Sequence, residues 1–191
     1  MAINYYTAKK TINGIEYTAQ FGGISAALQA VDNSYIDGTQ NTSLEKLSKY
    51  LFENVIVEPK LSLSDFGRDK VGETKTKKIG DIEYTARFDG ILTALRAIDG
   101  SYIEGTGNTS TEKLSKYLFE NVIVTPENLS IDDFDNMDDF NEVISFAREA
   151  MQGWGVMDEF NEIIAFAREV MQGNFRNKDE KPKSTNKKST K

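Results

Sequence analysis

The sequence predicts an α+β fold dominated by helices, in which two related units each combine a β-hairpin with helices. Two internal repeats lead to this prediction. Residues 17–59 recur as 84–126 at a constant offset of 67, with 32 identities in 43 positions. Residues 137–153 recur as 157–173, with 13 of 17 positions identical. Because two copies are too few to bury the faces of a solenoid, we expect either that each copy of the longer repeat is a small domain or that the two copies form a pseudo-symmetric pair. Each copy is called a body below.

The repeats also predict how the 191-residue chain is divided. Residues 68–76 are polar and offer nothing to bury, which is typical of a linker or of a long loop within one compact molecule. The predicted segments are a first repeat unit at 1–67, a linker at 68–76, a second repeat unit at 77–136, two repeated C-terminal amphipathic helices at 137–175 and a disordered basic tail at 176–191.

A β-hairpin is predicted at the start of each unit. Asn13-Gly14 lies between two runs rich in Tyr, Thr and Ile, and both residue types tolerate the positive φ of a tight hairpin turn. Gly80-Asp81 holds the same place in the second unit. An isolated hairpin is marginally stable in water, so these hairpins should pack on helices or on each other. The predicted strands are 5–12, 15–21, 75–79 and 82–88.

Two helices should follow each hairpin. The second is predicted to begin with a capping box, formed by Thr42 and Glu45 in the first unit and by Thr109 and Glu112 in the other, and Pro59 follows as a stop. Apolar residues recur at helical spacing on one face of each helix. These faces comprise Ile24, Ala27, Leu28 and Val31, then Leu47, Tyr50, Leu51 and Val55, with Ile91, Ala94, Leu95, Ile98, Leu114, Tyr117, Leu118 and Val122 as their equivalents.

The second helix is nearly invariant between the units. Only Leu44 against Thr111 differs between residues 41–57 and 108–124, and this position lies off the apolar face, where either residue should be tolerated. Phe52 also lies off that face, so we expect the helix to be covered on two sides.

The duplicated C-terminal segment predicts two amphipathic helices with an unusually wide apolar face, separated by Gly-Trp-Gly at 153–155. A face that bears Met and Phe side chains can bind a partner adaptably. The alternative is that the face forms domain core. The candidate partner-binding residues are Phe146, Met151, Trp154, Phe166 and Met171.

The side chains give little support to catalysis. The chain has no Cys and no His, which excludes disulfides and thiol chemistry and removes the commonest general base and metal ligand. Without a nucleotide fingerprint or zinc-ligand spacing, we expect no enzyme activity, no cofactor and no metal. Carboxylates cluster between residues 127 and 142 and could ligate Ca²⁺, but the order of an EF-hand is absent. An acidic helix start, favoured by the helix dipole, is the simpler interpretation.

The net charge of −7 is unevenly distributed. Residues 174–191 contain seven basic and two acidic residues, a charge of +5, so the remaining chain carries −12. Such an acidic body argues against binding of nucleic acid through phosphate neutralisation. No apolar run approaches eighteen residues, and the N-terminus lacks an apolar signal core, so we expect a soluble intracellular protein with no membrane partner.

The order of the motifs is similar to that of a known family. A hairpin ending in Tyr-Thr-Ala-x-Phe is followed by a helix, by Thr-Glu-Lys-Leu-x-Lys-Tyr-Leu-Phe-Glu-Asn-Val-Ile-Val-x-Pro, by Asp-Asp-Phe and by Phe-Asn-Glu-Val-Ile-x-Phe-x-Arg-Glu. Over residues 12–67 and 79–175 this pattern resembles the small tail assembly chaperones of phages and prophages of Gram-positive bacteria.

The resemblance implies a non-enzymatic viral protein of the bacterial host cytoplasm that binds the tape measure and tail tube proteins during tail assembly. The tandem duplication departs from the family pattern, and self-association is left open. The alternative function is an acidic mimic of DNA that inhibits a nucleic-acid or defence enzyme, which the charge of the body favours.

The order of the repeats predicts how the units fit together. The first body has no terminal helix of its own, whereas two copies of that helix follow the second body. Leaving apolar faces in water is costly, at roughly 1.5–3 kcal/mol for each large side chain. We therefore expect helix 137–152 to pack on the second body and helix 158–172 to cross to the first, with Trp154 at the junction. The expected result is one compact pseudo-dimer and not two separate bodies on a linker.

Overall fold

The computed structural model describes residues 6–173, which form two three-stranded antiparallel sheets and six α-helices. The predicted α+β fold class is therefore confirmed, whereas the predicted tail at 176–191 lies outside the described residues. The strands are β1 (Thr7–Ile12), β2 (Ile15–Gln20), β3 (Ile56–Glu58), β4 (Thr74–Ile79), β5 (Ile82–Arg87) and β6 (Ile123–Thr125). The helices are α1 (Ile24–Asp32), α2 (Leu44–Asn54), α3 (Ile91–Gly100), α4 (Thr111–Asn121), α5 (Met137–Met151) and α6 (Val156–Met171), and short 3-10 helices occur at Leu63–Asp65, Arg68–Lys70 and Ile131–Asp133.

Both predicted hairpins form. Asn13 and Gly14 adopt φ angles of 50° and 82°, and Ile12 pairs with Ile15 across this turn. β3 and β6, which have three residues each and pair antiparallel with β2 and β5, were not predicted from the sequence. The β-branched run Val-Ile-Val was the available signal for these strands.

The predicted capping boxes are wrong by one residue. Ser43 caps α2, and its Oγ accepts a hydrogen bond of 3.1 Å from the backbone N–H three residues further on. Thr42 pairs with Tyr35 in an isolated β-bridge, which holds it outside the helix. Ser110 likewise replaces Thr109 as the cap of α4. Because the residue three positions after each serine is a lysine, no carboxylate reaches back to the cap.

The two C-terminal helices pack on different bodies, as the order of the repeats predicts. α5 contacts β4, β5 and α4, whereas α6 contacts β1, β2 and α2. Phe160 of α6 meets Phe52 and Phe66 edge-on, with ring centroids 6.0 and 5.3 Å apart. In the second body, Phe140 meets Phe119 and Phe134 in the same way, with ring centroids 6.2 and 5.4 Å apart. Each body is therefore closed by the same cluster of three phenylalanines.

The chain reverses between α5 and α6 at residues 153–155, all of which have positive φ. A Cβ at Gly153 would lie 2.8 Å from the ring of Phe88. Gly67, at the end of the first unit, is enclosed in the same way, since a Cβ there would lie 2.8 Å from Val156. The end of the first unit and the reversing turn therefore meet around Phe88, which is fully buried.

The segment 68–76 lies along this meeting point. It contains the 3-10 helix Arg68–Lys70 and the first residues of β4. The Gly72 N–H donates to the carbonyl of Phe88 at 2.8 Å, and the Phe88 N–H donates to the carbonyl of Glu73 at 3.0 Å. The predicted linker 68–76 therefore contains the start of β4, and the second hairpin begins before residue 77.

Truncation after Gly153 should uncover the groove of the first body, because it removes α6. Loss of a buried phenylalanine such as Phe160 is worth roughly 3–5 kcal/mol by itself. We expect the first body to unfold at a lower denaturant concentration than the second, and the uncovered apolar surface to promote association. Chemical denaturation and light scattering measure the two effects.

Truncation after Gly173 is the matched control, since it leaves α6 in place and removes only residues 174–191. This variant should unfold like the full chain. If the chain truncated after Gly153 stays monomeric and unfolds like the full chain too, α6 does not stabilise the first body.

Candidate protein-binding surfaces

Four of the five residues predicted to bind a partner lie in the core. Phe146, Met151, Phe166 and Met171 are at most 6% exposed, because the apolar faces of α5 and α6 pack on the two bodies. The alternative interpretation of these faces, domain core, therefore describes the folded protein. Trp154 is half-buried at the reversing turn, where the Lys75 Nζ lies 4.4 Å from the centre of its ring. A surface that a partner can reach without displacing a helix lies elsewhere.

The acidic residues before and within α5 begin helices. The Asp133 carboxylate accepts a hydrogen bond of 2.7 Å from the Ser130 N–H, which starts a 3-10 helix. The Asn136 side chain accepts one of 2.8 Å from the Asp139 N–H at the start of α5. Asp138 and Asp139 lie in the first turn of α5, which is consistent with the interpretation of an acidic helix start. Within the described part of the chain, no group of three or more potential ligands is placed to hold a metal ion.

Several side chains have shifted pKa values, and each of the shifts described below has its cause in packing, helix capping or ion pairing. Burial raises the pKa of Tyr17 and Tyr84, the equivalent tyrosines of β2 and β5. A hydrogen bond from a serine hydroxyl lowers the pKa of Asp65 at the start of its 3-10 helix. Hydrogen bonding to Glu45 raises the pKa of Arg96. These groups serve packing, capping and ion pairing at separate places.

The two bodies meet where α3 lies against α2. Asp99 of α3 caps α2 from the other unit: its Oδ1 accepts from the Leu44 N–H at 2.9 Å, and its Oδ2 accepts from the Ser43 hydroxyl at 2.6 Å. Arg96 donates two hydrogen bonds, of 3.0 and 3.1 Å, to the carboxylate of Glu45. A carboxylate at a helix N-terminus satisfies orphan N–H groups and is favoured by the helix dipole. This contact therefore fixes the position of one unit on the other.

The junction explains the single difference between the two copies of the second helix. Leu44 is half-buried next to α3, whereas its equivalent Thr111 is exposed. The spacing of one helix does not indicate that the second unit lies next to Leu44 in the first copy, whereas Thr111 in the second copy is exposed.

The first helix of each unit has an apolar face, but only one of the two faces is covered. Ile91 and Leu95 of α3 are 1% and 0% exposed. Their equivalents in α1, Ile24 and Leu28, are 63% and 59% exposed. The helical spacing predicts both helices correctly, but it does not reveal that α1 lies at the end of the molecule with no neighbouring unit.

A second accessible apolar surface lies at the start of α5. A hollow of about 380 Å³ is lined there by Ile131, Phe134, Met137 and Phe140. Met137 is 65% exposed, whereas its equivalent Met157 is 6% exposed inside the molecule. This surface was not predicted from the sequence, because the repeat gives Met137 and Met157 the same local pattern.

No family model matches the chain, and neither a curated protein nor a solved structure matches it. Among the helices of residues 6–173, none combines the length and the apolar character that crossing a membrane requires. The accessible apolar surfaces are therefore the structural basis for a functional proposal.

Replacing Asp99 with Ala should lower the free energy of unfolding by about 1–2 kcal/mol, because α2 loses its external cap and the Ser43 hydroxyl loses its acceptor. Asp32→Ala is the matched control: Asp32 is the equivalent residue of α1 and is exposed. Its replacement should change the free energy of unfolding by no more than about 0.5 kcal/mol. Urea denaturation in dilute solution measures both values, and equal effects would contradict a stabilising role for the Asp99 cap.

Proposed function

We propose that the protein is a non-enzymatic tail assembly chaperone of a phage or prophage, which binds the tape measure and tail tube proteins in the cytoplasm of its bacterial host. The proposal is supported by the resemblance in motif order. The structural observation that carries it is the apolar hollow at the start of α5, because an exposed apolar segment of a client protein fits such a surface.

The hollow has the composition of a protein-binding surface. Met137 is exposed, Ile131 and Phe134 are partly buried, and apolar side chains that a partner can reach together are typical of interaction sites. Met137, the most exposed of them, has a flexible thioether side chain that adapts to differently shaped partners. Asp135 and Asn136 complete the lining of the hollow with polar groups. An apolar centre with a polar edge is the usual anatomy of a protein interface.

Replacing Met137 with Asp should weaken the binding of a client, because the client's apolar segment would meet a charge in place of a thioether. Loss of one large buried apolar side chain is worth roughly 1.5–3 kcal/mol, so the affinity should fall by about tenfold or more. Isothermal titration against the cognate tape measure and tail tube proteins measures the change.

Ile15→Asp is the matched control, because Ile15 is also an exposed apolar residue but lies in the hairpin of the first unit. This variant should bind the clients like the unmodified protein. Absence of binding to both clients would overturn the proposal. Tight binding to a nuclease that weakens with salt would instead support the acidic mimic of DNA, since the chain before residue 174 carries a charge of −12.

A further inference from the structure

The helices that meet at the junction between the two bodies are not equivalent. The first body contributes α2 and the 3-10 helix Leu63–Asp65, and the second contributes α3. The equivalent loops 34–41 and 101–108 also touch, and there the Gly105 N–H donates to the Gly38 carbonyl at 2.6 Å. A two-fold arrangement would also place α1 against α4 and Asp32 against the start of α4. These helices share no extensive contact, and Asp32 is exposed. The units are therefore related head to tail, a relation that need not close after two copies.

Among residues 6–173 of a single chain, one copy of each junction surface consequently has no cover. At one end, α1 presents Ile24 and Leu28 to solvent. At the other end lies the α4 surface, which we define as the first turn of α4 together with the 3-10 helix Ile131–Asp133. This surface is equivalent to the one that α3 covers on the first body. Its exposure differs accordingly: Ser110 is half-buried, whereas the equivalent Ser43 is buried.

The hydrogen-bonding groups of the junction are also retained at the two ends. Asp32 of α1 keeps the carboxylate that Asp99 uses. Ser110 keeps the hydroxyl of Ser43 and caps α4 in the same way. The apolar residue Ile131 stands where Leu63 stands in the first unit. The two ends of one chain therefore carry both halves of the contact that already holds its two units together.

We propose that α1 of one chain binds the α4 surface of a second copy of the same chain, so that the junction between units is repeated between chains. Asp32 then caps α4 of the second copy, and Leu28 covers the apolar part of its α4 surface. Each added chain leaves one α1 and one α4 surface free, so the product is a head-to-tail oligomer. This inference does not rest on the proposed function.

Three sequence differences make the contact between chains weaker than the junction within a chain. On the α4 surface, Thr111 stands in place of Leu44. Leu92 of α3 lines a hollow against α2, and its equivalent in α1 is Ser25. Arg96 pairs with Glu45 across the junction, and its equivalent is Gln29. The contact between chains therefore lacks two apolar side chains and one ion pair, and the association should depend on protein concentration.

Leu28→Asp and Thr111→Asp test the two surfaces separately. The first substitution puts a charge on the exposed face of α1, and the second puts a carboxylate where Asp32 would bind. Both positions are exposed, and an acidic residue favours the start of a helix, so both variants should fold. By sedimentation velocity over a concentration series, each should stay monomeric where the unmodified chain associates. Ile15→Asp, on neither surface, should associate like the unmodified chain.

An equimolar mixture of these two variants distinguishes head-to-tail binding from a two-fold dimer. The mixture retains one functional α1, on the Thr111→Asp chain, and one functional α4 surface, on the Leu28→Asp chain. It should therefore form heterodimers and nothing larger. A two-fold dimer through α1 would persist in Thr111→Asp alone, and that result would overturn the proposal. Ile131→Asp, a second change to the α4 surface, should behave like Thr111→Asp.

Restoring the junction residues provides the converse test. Ser25→Leu combined with Gln29→Arg gives α1 the apolar and cationic side chains of α3, and should tighten the association by about tenfold or more. Adding Thr111→Asp to the same chain should remove this gain. If both the unmodified chain and the Ser25→Leu/Gln29→Arg variant remain monomeric at every concentration up to the solubility limit, the proposal is wrong.

Discussion

The groove of each body has to be covered by a wide apolar helix face, and this requirement determines the arrangement of the whole chain. The first body is followed directly by the second hairpin, so its cover comes from the far end of the described chain. α6 reaches it because residues 153–155 reverse the chain and because Gly67 and Gly153 leave room around Phe88. Phe160 then closes the first body with the same ring contacts that Phe140 makes in the second.

The crossing also makes the two bodies unequal. Since α6 ties the first body to the second, α3 is held against α2, and α1 is left at the end of the molecule. The two copies of the repeat therefore have different surroundings. Some of their sequence differences lie at positions that are covered by the other body in only one of the copies. Leu92 and Arg96 of α3 face the first body, and their equivalents in α1, Ser25 and Gln29, are polar and uncharged. Likewise, the apolar Leu44 is half-buried, whereas its polar equivalent Thr111 is exposed. The carboxylate of Asp99 is kept in α1 as Asp32.

Local spacing and the cost of exposing apolar faces were sufficient to predict the hairpins, the helices, the reversing turn and the crossing of α6. The cap of α2 was misplaced by one residue because Thr42 is held by a β-bridge to Tyr35, a contact that spacing does not reveal. The partner-binding residues proposed from α5 and α6 proved to be core, because an apolar helix face looks the same whether it covers its own body or a partner. The exposure of Met137 likewise depends on which copy of a repeat ends at the surface.

The composition of α1 is intermediate between a permanent interface and a solvated face. A permanent interface would favour the leucine and arginine that α3 uses, whereas a solvated face gains nothing from Ile24 and Leu28, which are largely exposed. α1 instead keeps these two apolar residues and carries Ser25 and Gln29 beside them. Such a mixture is what a surface needs if it is covered only part of the time. The carboxylate of Asp32 is favoured next to a helix N-terminus and is repelled by the Asp32 carboxylate of another chain. The contact that it favours therefore joins α1 to a helix start and not to a second α1.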